Sequence, residues 1–490
     1  MKLIFTALLC LFSLQAAEKP NVIFFAVDDM NDWIGPMGSK MAKTPNMDRL
    51  AKMGVTFTNA HTSGVYCAPS RTAIFTGRNA TTSGCYTDQI YFHNHPEYIP
   101  LHMAFNKGGY NTYGVGKLFH HPTGHIDPRG WTEFHLRTED QRKNGWPVET
   151  WAYEAPMPAQ VPASKFNQVD KKWKGRPFME VGAIPNDKEE EIVDTLRTKW
   201  ACDIISKKHD KPFFMALGLY APHFPNYAPQ RFFDMYPIES IKHGPWKDGD
   251  LDDIPQPERK KKLARKKGIH DKLIELGIVE STIQGYLASI SYADSNLGRV
   301  LDALENSPNK DNTIIVFWSD HGYAQGEKGN WGKHTMWQRT TNVPFMWAGP
   351  GIAKGKTTSY TSVLIDMYPT LTDLCGITPD KGLDGKSLKN ILAKPANSSE
   401  RTVFVPYTEP KSYTVINEKW RYIKYKEGGE ELYDLSKDFH EWNNLADNPE
   451  YKSIKEQLIT HGPKKFAPIG ISKKKLKLVL KGDSYEWVKK

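Results

Sequence analysis

The sequence predicts an α/β protein: a central mixed, mostly parallel sheet flanked by helices, followed by a smaller C-terminal α+β subdomain with an antiparallel sheet. Three observations point there. Asn21–Val27 is a continuous apolar run, as in a strand covered on both faces, and three further strands, Asn111–Gly116, Lys211–Tyr220 and Thr313–Ser319, repeat its pattern of ending in polar residues. Segments of helical period lie between them. From about Pro379 the chain changes to short β-rich runs separated by turns.

A chain of 490 residues is too long for one small core and suits a large domain plus a smaller one. The expected division is a signal peptide over 1–17, a main domain over 18–378 and a C-terminal subdomain over 379–490. Met1-Lys2-Leu3 followed by an apolar run to Leu14, with cleavage near Gln15-Ala16-Ala17, reads as a secretory signal and predicts a secreted or periplasmic protein. Leu9 precedes Cys10, which argues against a lipoprotein. No later segment is long and apolar enough to cross a bilayer. Cys67, Cys85, Cys202 and Cys375 remain, scattered without zinc-type spacing and too few for a disulfide scaffold, although one pair could bridge. The formal net charge of +9 gathers in Arg259–Lys267 and Lys473–Lys475. No base-reading motif accompanies it, so nucleic acid is a poor partner. A polyanionic substrate or a solvated helix face are the two readings that remain.

In chain order, the first apolar run stops at Asp28-Asp29. Adjacent carboxylates repel, so either a hard cation holds them or they cap the next helix. Thr44–Ala51 reads as a capped helix start. Gly64–Arg78 is a small-residue run that turns helical from about Ser70. Pro69 sits in its first turn and Cys67 faces the positive helix end. The second run leads to Lys117 and His120, the third to Pro222-His223, the fourth to Asp320-His321-Gly322. All four strands therefore deliver polar residues at their carboxyl ends, the edge where open α/β sheets bind ligands. Between them, Glu189–Ser206 carries Ile192, Leu196, Trp200 and Ile204 as a buried stripe. Gln284–Leu304 carries Tyr286, Ile290, Ala293, Leu297 and Leu301 likewise. Thr138–Pro185 lacks a period and reads as an insertion at the sheet's carboxyl edge, with the basic Pro255–Lys272 a second one. Leu364–Leu371 is a helix. Thr402–Tyr407, Tyr413–Ile416 and Trp420–Tyr425 supply the antiparallel sheet, and Glu431–Leu435 with Glu441, Asn444 and Leu445 packs it on the main domain.

Cys67-Ala68-Pro69-Ser70-Arg71, followed by Thr76-Gly77-Arg78, resembles the signature of the type I sulfatases. Asn21 to Leu445 is similar to that family throughout. Ala26–Asn31, Gly116–His120, Ala221–Pro225 and Ser319–Glu327 favour its iduronate-2-sulfatase branch, as does His321 where many sulfatases have asparagine. The resemblance implies an alkaline-phosphatase-like fold, one calcium ion per chain, and oxidation of Cys67 to formylglycine by a separate maturation enzyme. It places calcium ligands on Asp28, Asp29, Cys67, Asp320 and His321. Sulfate-binding and proton-transfer groups fall on Lys117, His120, His223 and Lys333, with Arg71 beside the nucleophile. His334 is a further substrate contact.

The chemistry agrees with these placements. Calcium takes hard oxygens and a thiolate is soft, so an unmodified Cys67 fits poorly, whereas a hydrated aldehyde offers two hard oxygens. One hydroxyl attacks sulfur; the other collapses to the aldehyde and expels sulfate. Lys117 and Lys333 offset charge on the ester, His223 protonates the leaving alkoxide and His120 takes a proton from the second hydroxyl. Lone lysines and histidines are ordinarily solvated or structural; their common place at strand ends argues for function. The expected substrate is a sulfated glycan, with uronate-containing ones among the candidates, either a glycosaminoglycan or an algal polysaccharide such as ulvan. The alternatives are a phosphatase or phosphonate monoester hydrolase of the same fold, and a non-catalytic binder of anionic polysaccharide. A two-zinc phosphatase would need a second His/Asp ligand set that the sequence does not supply.

Overall fold

The structure is a computed structural model that describes residues 19–120, 124–135, 164–169, 179–395, 401–481 and 484–490. The expected signal segment and much of the 138–185 insertion lie outside these residues.

Among the described residues the central sheet has eight strands: β1 (Asn21–Val27), β2 (Gly54–Phe57), β3 (Asn111–Gly116), β4 (Glu133–His135), β5 (Phe213–Gly218), β6 (Thr313–Ser319), β7 (Phe345–Ala348) and β8 (Lys356–Thr358), in the order β8-β2-β7-β6-β1-β5-β3-β4. Only β7 runs antiparallel to its neighbours, β2 and β6. β6, β1, β5 and β3 are adjacent and parallel, with Val27 beside Ser319, Ala26 beside Gly218 and Gly116 beside Gly218. Their carboxyl ends are level, which turns four separated sequence motifs into one site.

The continuous apolar runs have the predicted cause. Ile23, Phe25 and Val27 of β1 face one hydrophobic layer together with Met215, Leu217, Ile315 and Phe317. Val22, Phe24 and Ala26 face the other, with Phe214, Ala216, Val316 and Trp318. Helices α1 (Pro45–Met53), α4 (Val193–Ile205) and α6 (Val279–Glu305) cover the first face; α2 (Cys67–Thr76), α3 (Leu101–Lys107) and α7 (Met367–Leu374) cover the second. Each large side chain so buried contributes about 1.5–3 kcal/mol relative to exposure. Tyr286, Ile290, Ala293, Leu297 and Leu301 all point into the core, as their spacing predicts.

Two helices depart from expectation. α2 begins at Cys67, three residues before Ser70, because Tyr66 is extended and Ser70 N donates to Tyr66 O at 3.2 Å. Pro69 then lies in the first turn, where its missing N–H costs nothing. α4 is rotated from the expected stripe: Leu196 is 44% exposed and Trp200 half-buried. The face turned inward carries Asp194 and Arg197, because the Asp194 carboxylate accepts from Tyr220 N (2.8 Å) and Ala221 N (2.9 Å) at the exit of β5. The basic 255–272 stretch is helical, as α5 (Glu258–Gly268) and the start of a short helix over His270–Glu275. The four cysteines described are free, and no bridge forms among them.

The C-terminal sheet is antiparallel, in the order β9 (Val403–Pro406), β10 (Tyr413–Ile416), β11 (Trp420–Lys424) and β12 (Glu430–Asp434). One face packs on Val65, Met336, Trp337 and Ile365 of the main domain. The other is covered by Leu458 and Ile454 of α8 (Lys452–Thr460). The sequence gives no warning of the final hairpin, β13 (Leu476–Lys481) and β14 (Ser484–Lys489). It leaves this subdomain and returns to the main one, where Tyr485 OH donates to Ile126 O and Trp487 Nε1 to Gly124 O at 2.8 Å.

Candidate functional site

Asp28 and Asp29 follow β1 directly. Asp29 is left-handed (φ 64°), an uncommon state for a non-glycine residue. It is held there by Tyr286 of α6, whose hydroxyl donates to Asp29 O (2.7 Å), and by Asp320 Oδ1, which accepts from Asp29 N (3.3 Å). The turn aims both carboxylates inward. Where β3 and β5 end, Gly116 (φ 77°) and Gly218 press together. A Cβ on Gly116 would lie 2.0 Å from Gly218 O, and one on Gly218 2.3 Å from Lys117 O. That close approach lets Lys117 turn back over the edge.

Three carboxylates and three cations interlock. Asp28 pairs with Lys117 Nζ and with Arg71 Nη2 (3.2 Å). Asp320 Oδ2 accepts from Arg71 Nε (2.8 Å), and Asp29 Oδ1 from Lys333 Nζ (2.7 Å). Burial opposes the charge on Asp28, but Lys117, His223 and Arg71 outweigh it and hold its carboxyl well below the usual range. At Asp29 burial wins over Lys333, with Asp28 adding repulsion, and its pKa rises. The ammonium of Lys333 is opposed by burial too, yet Asp29 above all holds its pKa well up.

Cys67 Sγ stands at the centre: 3.2 Å from His321 Nε2, 3.2 Å from Lys333 Nζ, 3.4 Å from Asp28 Oδ1 and 3.9 Å from Lys117 Nζ. Burial, then the Asp28 charge, pushes the thiol pKa well up. The unmodified sulfur is therefore a neutral thiol, a weak nucleophile and a weak ligand. His321 Nδ1 lies 3.0 Å from Gly322 O; in the tautomer that donates there, Nε2 turns its lone pair on the cluster.

Donor atoms of Asp28, Asp29, Cys67 and His321 lie within 4.8 Å of one another, so four of the five expected metal ligands form one group. Asp320 borders it, with Oδ2 3.4 Å from His321 Nε2, while Arg71 and the Asp29 and His321 amides occupy its oxygens. A hard divalent cation fits this set. Asp29 Oδ2 is closed to solvent with no hydrogen-bond partner among the described residues, and two lysine ammoniums are drawn onto the carboxylates where a cation would sit.

The remaining expected residues surround this group. His223 Nε2 is 3.7 Å from Asp29 Oδ2, and its Nδ1 faces Phe224 O. His120 lies edge-on to Tyr66 (6.1 Å) and to His125 (5.1 Å). Burial lowers the pKa of both, reinforced at His223 by Lys117 and at His120 by His125 and then Lys117. His334 stacks on Tyr66 at 4.6 Å and its carbonyl accepts from Tyr407 OH (3.2 Å), so it stands at the rim rather than at the sulfur.

Sequence reasoning missed the supports. Thr62 and Ser70 hydroxyls both donate to Asp320 O (2.5 and 2.6 Å), Asp194 fixes the turn that leads to His223, and Tyr286 fixes Asp29. Tyr286 and Asp194 lie on predicted helices at positions read as core or ignored. A polar group on a buried helical face was the available signal.

Known proteins resemble this chain over most of its length. The family model described as Sulfatase matches residues 20–377, and one described as N-sulphoglucosamine sulphohydrolase, C-terminal, matches 326–464. A sulfatase of Formosa agariphila is 37% identical over 92% of this chain and 87% of its own length. Iduronate 2-sulfatase of Mus musculus is 28% identical over 74% of this chain and 70% of its own. The solved phosphonate monoester hydrolase of Agrobacterium radiobacter shares the fold, with a TM-score of 0.71 at 20% identity over 96% of this chain and all of that one.

Proposed function

Because the chain belongs to the sulfatase family, a family of sulfate ester hydrolases, we propose that it is an exported, calcium-dependent enzyme that desulfates a glycan with a formylglycine made from Cys67. One observation carries the reading. Cys67 opens α2 with its Sγ 3.4 Å from Asp28 Oδ1 and 3.2 Å from both His321 Nε2 and Lys333 Nζ, in one group with Asp29, and a hard cation held by these carboxylates favours an oxygen at that position over sulfur. Asp28, Asp29, Asp320, His321 and residue 67 would hold the ion. When bound, calcium supplies positive charge against the ester oxygens, and the formylglycine hydrate supplies the hydroxyl that attacks sulfur.

The chain's own groups do the rest. Arg71, fixed by Asp28 and Asp320, keeps its charge beside residue 67. Lys117 and Lys333 end within 4 Å of Sγ from two sides and orient the sulfate oxygens. With Nδ1–H donated to Phe224 O, His223 presents Nε2 to the site. Burial and the lysines keep that atom unprotonated until an anionic ester raises its proton affinity; Nε2 then takes a proton from solvent and passes it to the leaving oxygen. His120, deprotonated by burial, accepts a proton on the opposite flank. The three carboxylates and three cations cancel, so a bound divalent ion leaves net positive charge for an anionic ester.

Membership of the iduronate-2-sulfatase branch is supported by His321 and the Ala221–Pro225 stretch. The 27% identity to an ulvan-active sulfatase of Formosa agariphila, over 98% of this chain, supports a wider range of sugars, algal ones included. The phosphonate hydrolase reading rests on the shared fold alone, and among the described residues only one group of side chains suits a metal. Co-expression with a formylglycine-generating enzyme, mass spectrometry of the Cys67 peptide and a desulfation screen on defined glycosaminoglycan and algal oligosaccharides test the proposal. Conversion of Cys67 with release of sulfate is expected; a converted protein that cleaves phosphonate or phosphate monoesters and no sulfate ester overturns it.

A further inference from the structure

Helix α5 holds the densest basic run in the chain, and several of its charges are spent locally. Arg259 pairs with Asp252, Lys261 with Glu258 (2.6 Å) and Lys266 with Asp271 (2.5 Å). Lys262 and Arg265, one turn apart, behave differently. Lys262 Nζ lies 3.5 Å from His334 O and 5.0 Å from the centre of the Trp337 ring. Arg265 Nη2 donates to Trp331 O at 2.9 Å, and its Nε is closed to solvent with no hydrogen-bond partner among the described residues.

Neither cation has a carboxylate within ion-pair distance among the described residues. Glu258 and Glu431 act on Lys262 from further away, but Glu258 is engaged by Lys261, and Glu431 by Trp337, Tyr425 and Tyr433. Burial, then Arg265, pulls the Lys262 ammonium down to about 8. Two half-buried cations facing only carbonyls and rings are costly, and an anion placed between them offsets the cost. Both carbonyls belong to residues 331–334, the segment whose Lys333 reaches Cys67 Sγ, so the pair flanks the reaction centre.

Building on the sulfatase reading, we propose that Lys262 and Arg265 form a second anion subsite, which takes a carboxylate or a further sulfate of the glycan beside the ester that is cleaved. The substrate then carries at least two anionic groups, and the pair sets specificity without taking part in the chemistry. Arg265 offers a planar fork suited to an oxyanion, Lys262 a point charge beside it.

Binding to the calcium-loaded, unmatured protein tests this without turnover. Calorimetry would compare three disaccharides: one with a single sulfate and no other charge, one with two sulfates, and one with a sulfate and a uronate. The second anion is expected to tighten binding about tenfold or more. Lys262→Gln and Arg265→Gln should lose that gain and bind the singly charged sugar as before, while Arg265→Lys keeps part of it. Whichever of the two doubly charged probes shows the larger gain names the anion. Equal affinity for all three sugars, no binding of any, or equal weakening of all three in both variants overturns the proposal; the last result makes the pair a prop for residues 331–334. The sulfatase reading fails separately, if matured wild-type protein releases no sulfate while the binding preference stands.

Discussion

Two buried carboxylate clusters lie on either side of residues 327–341, and they are finished in opposite ways. In the joint with the C-terminal sheet, Glu431 accepts from Trp337 Nε1 (2.8 Å), Tyr425 OH (2.5 Å) and Tyr433 OH (2.6 Å), all neutral donors, and nothing is left over. Beside it, Glu441 accepts from Gln338 N (2.8 Å), while its Oε1 lies 2.7 Å from Arg421 Nε as an ion pair without hydrogen-bond geometry. At the sheet edge, Asp28, Asp29 and Asp320 are held by full charges, one oxygen of Asp29 has no hydrogen bond among the described residues, and a neutral thiol sits in the middle. A carboxylate filled by neutral donors is a fastener; carboxylates held by Arg71 and two lysine ammoniums keep a place for another cation. Burial is alike in the two places, so the distinguishing mark is what saturates the carboxylate.

The sharpest way to break the contrast is at its centre. Cys67→Ala in maturase-coexpressed protein should lower sulfate ester hydrolysis by at least ~10³-fold with the far-ultraviolet spectrum unchanged; retained turnover would remove residue 67 from the chemistry. Asp28→Asn and Asp29→Asn should weaken calcium binding by roughly two orders of magnitude or more, measured by titration calorimetry. They should also abolish the rise in melting temperature that calcium gives wild-type protein, which is worth about 2.7 kcal/mol at a hundredfold excess over Kd. An ion that binds the variants as tightly as wild type is not at this site.

At the fastener the expected outcome is reversed. Glu431→Ala strands three buried donors and should cost about 3 kcal/mol in denaturant unfolding, while desulfation well below the melting transition is little changed. A loss of activity without a loss of stability would erase the distinction.

The smallest effect is a slope with pH. His270 Nδ1 accepts from Trp331 Nε1 at 3.0 Å, and burial, then Lys266, pulls its pKa from 6.5 to about 4. A depressed value means that folding favours the unprotonated ring. Its contribution is full above pH 6.5 and is lost as pH falls through about 4, roughly 2 kcal/mol by pH 4.5. Stability measured at both pH values in wild type and His270→Gln should converge at the lower pH, and parallel curves would refute the assignment.

What the sequence disclosed follows from which interactions are local. Strands β1, β5 and β6 announce themselves because burial on both faces leaves no polar alternation, whereas β3 keeps Asn111 and Tyr113 half-buried; the carboxyl ends were readable because each motif starts where a strand run stops. α2 starts early because an extended Tyr66, set by tertiary contacts, frees Cys67 to be helical. α4 is rotated because Asp194 serves the β5 exit, a debt that no helical periodicity records. The supports Thr62, Ser70 and Tyr286 touch partners more than 240 residues away, so their roles exist only in three dimensions.

The β13–β14 hairpin bears on the site from a distance in sequence. Tyr485 and Trp487 grip the carbonyls of Ile126 and Gly124, next to the His125 ring that abuts His120. The tail of the polypeptide is thus a clamp on one wall of the reaction chamber. A chain shortened by its final strand would keep every residue of the cluster around Cys67 and lose the brace that holds an imidazole at its flank.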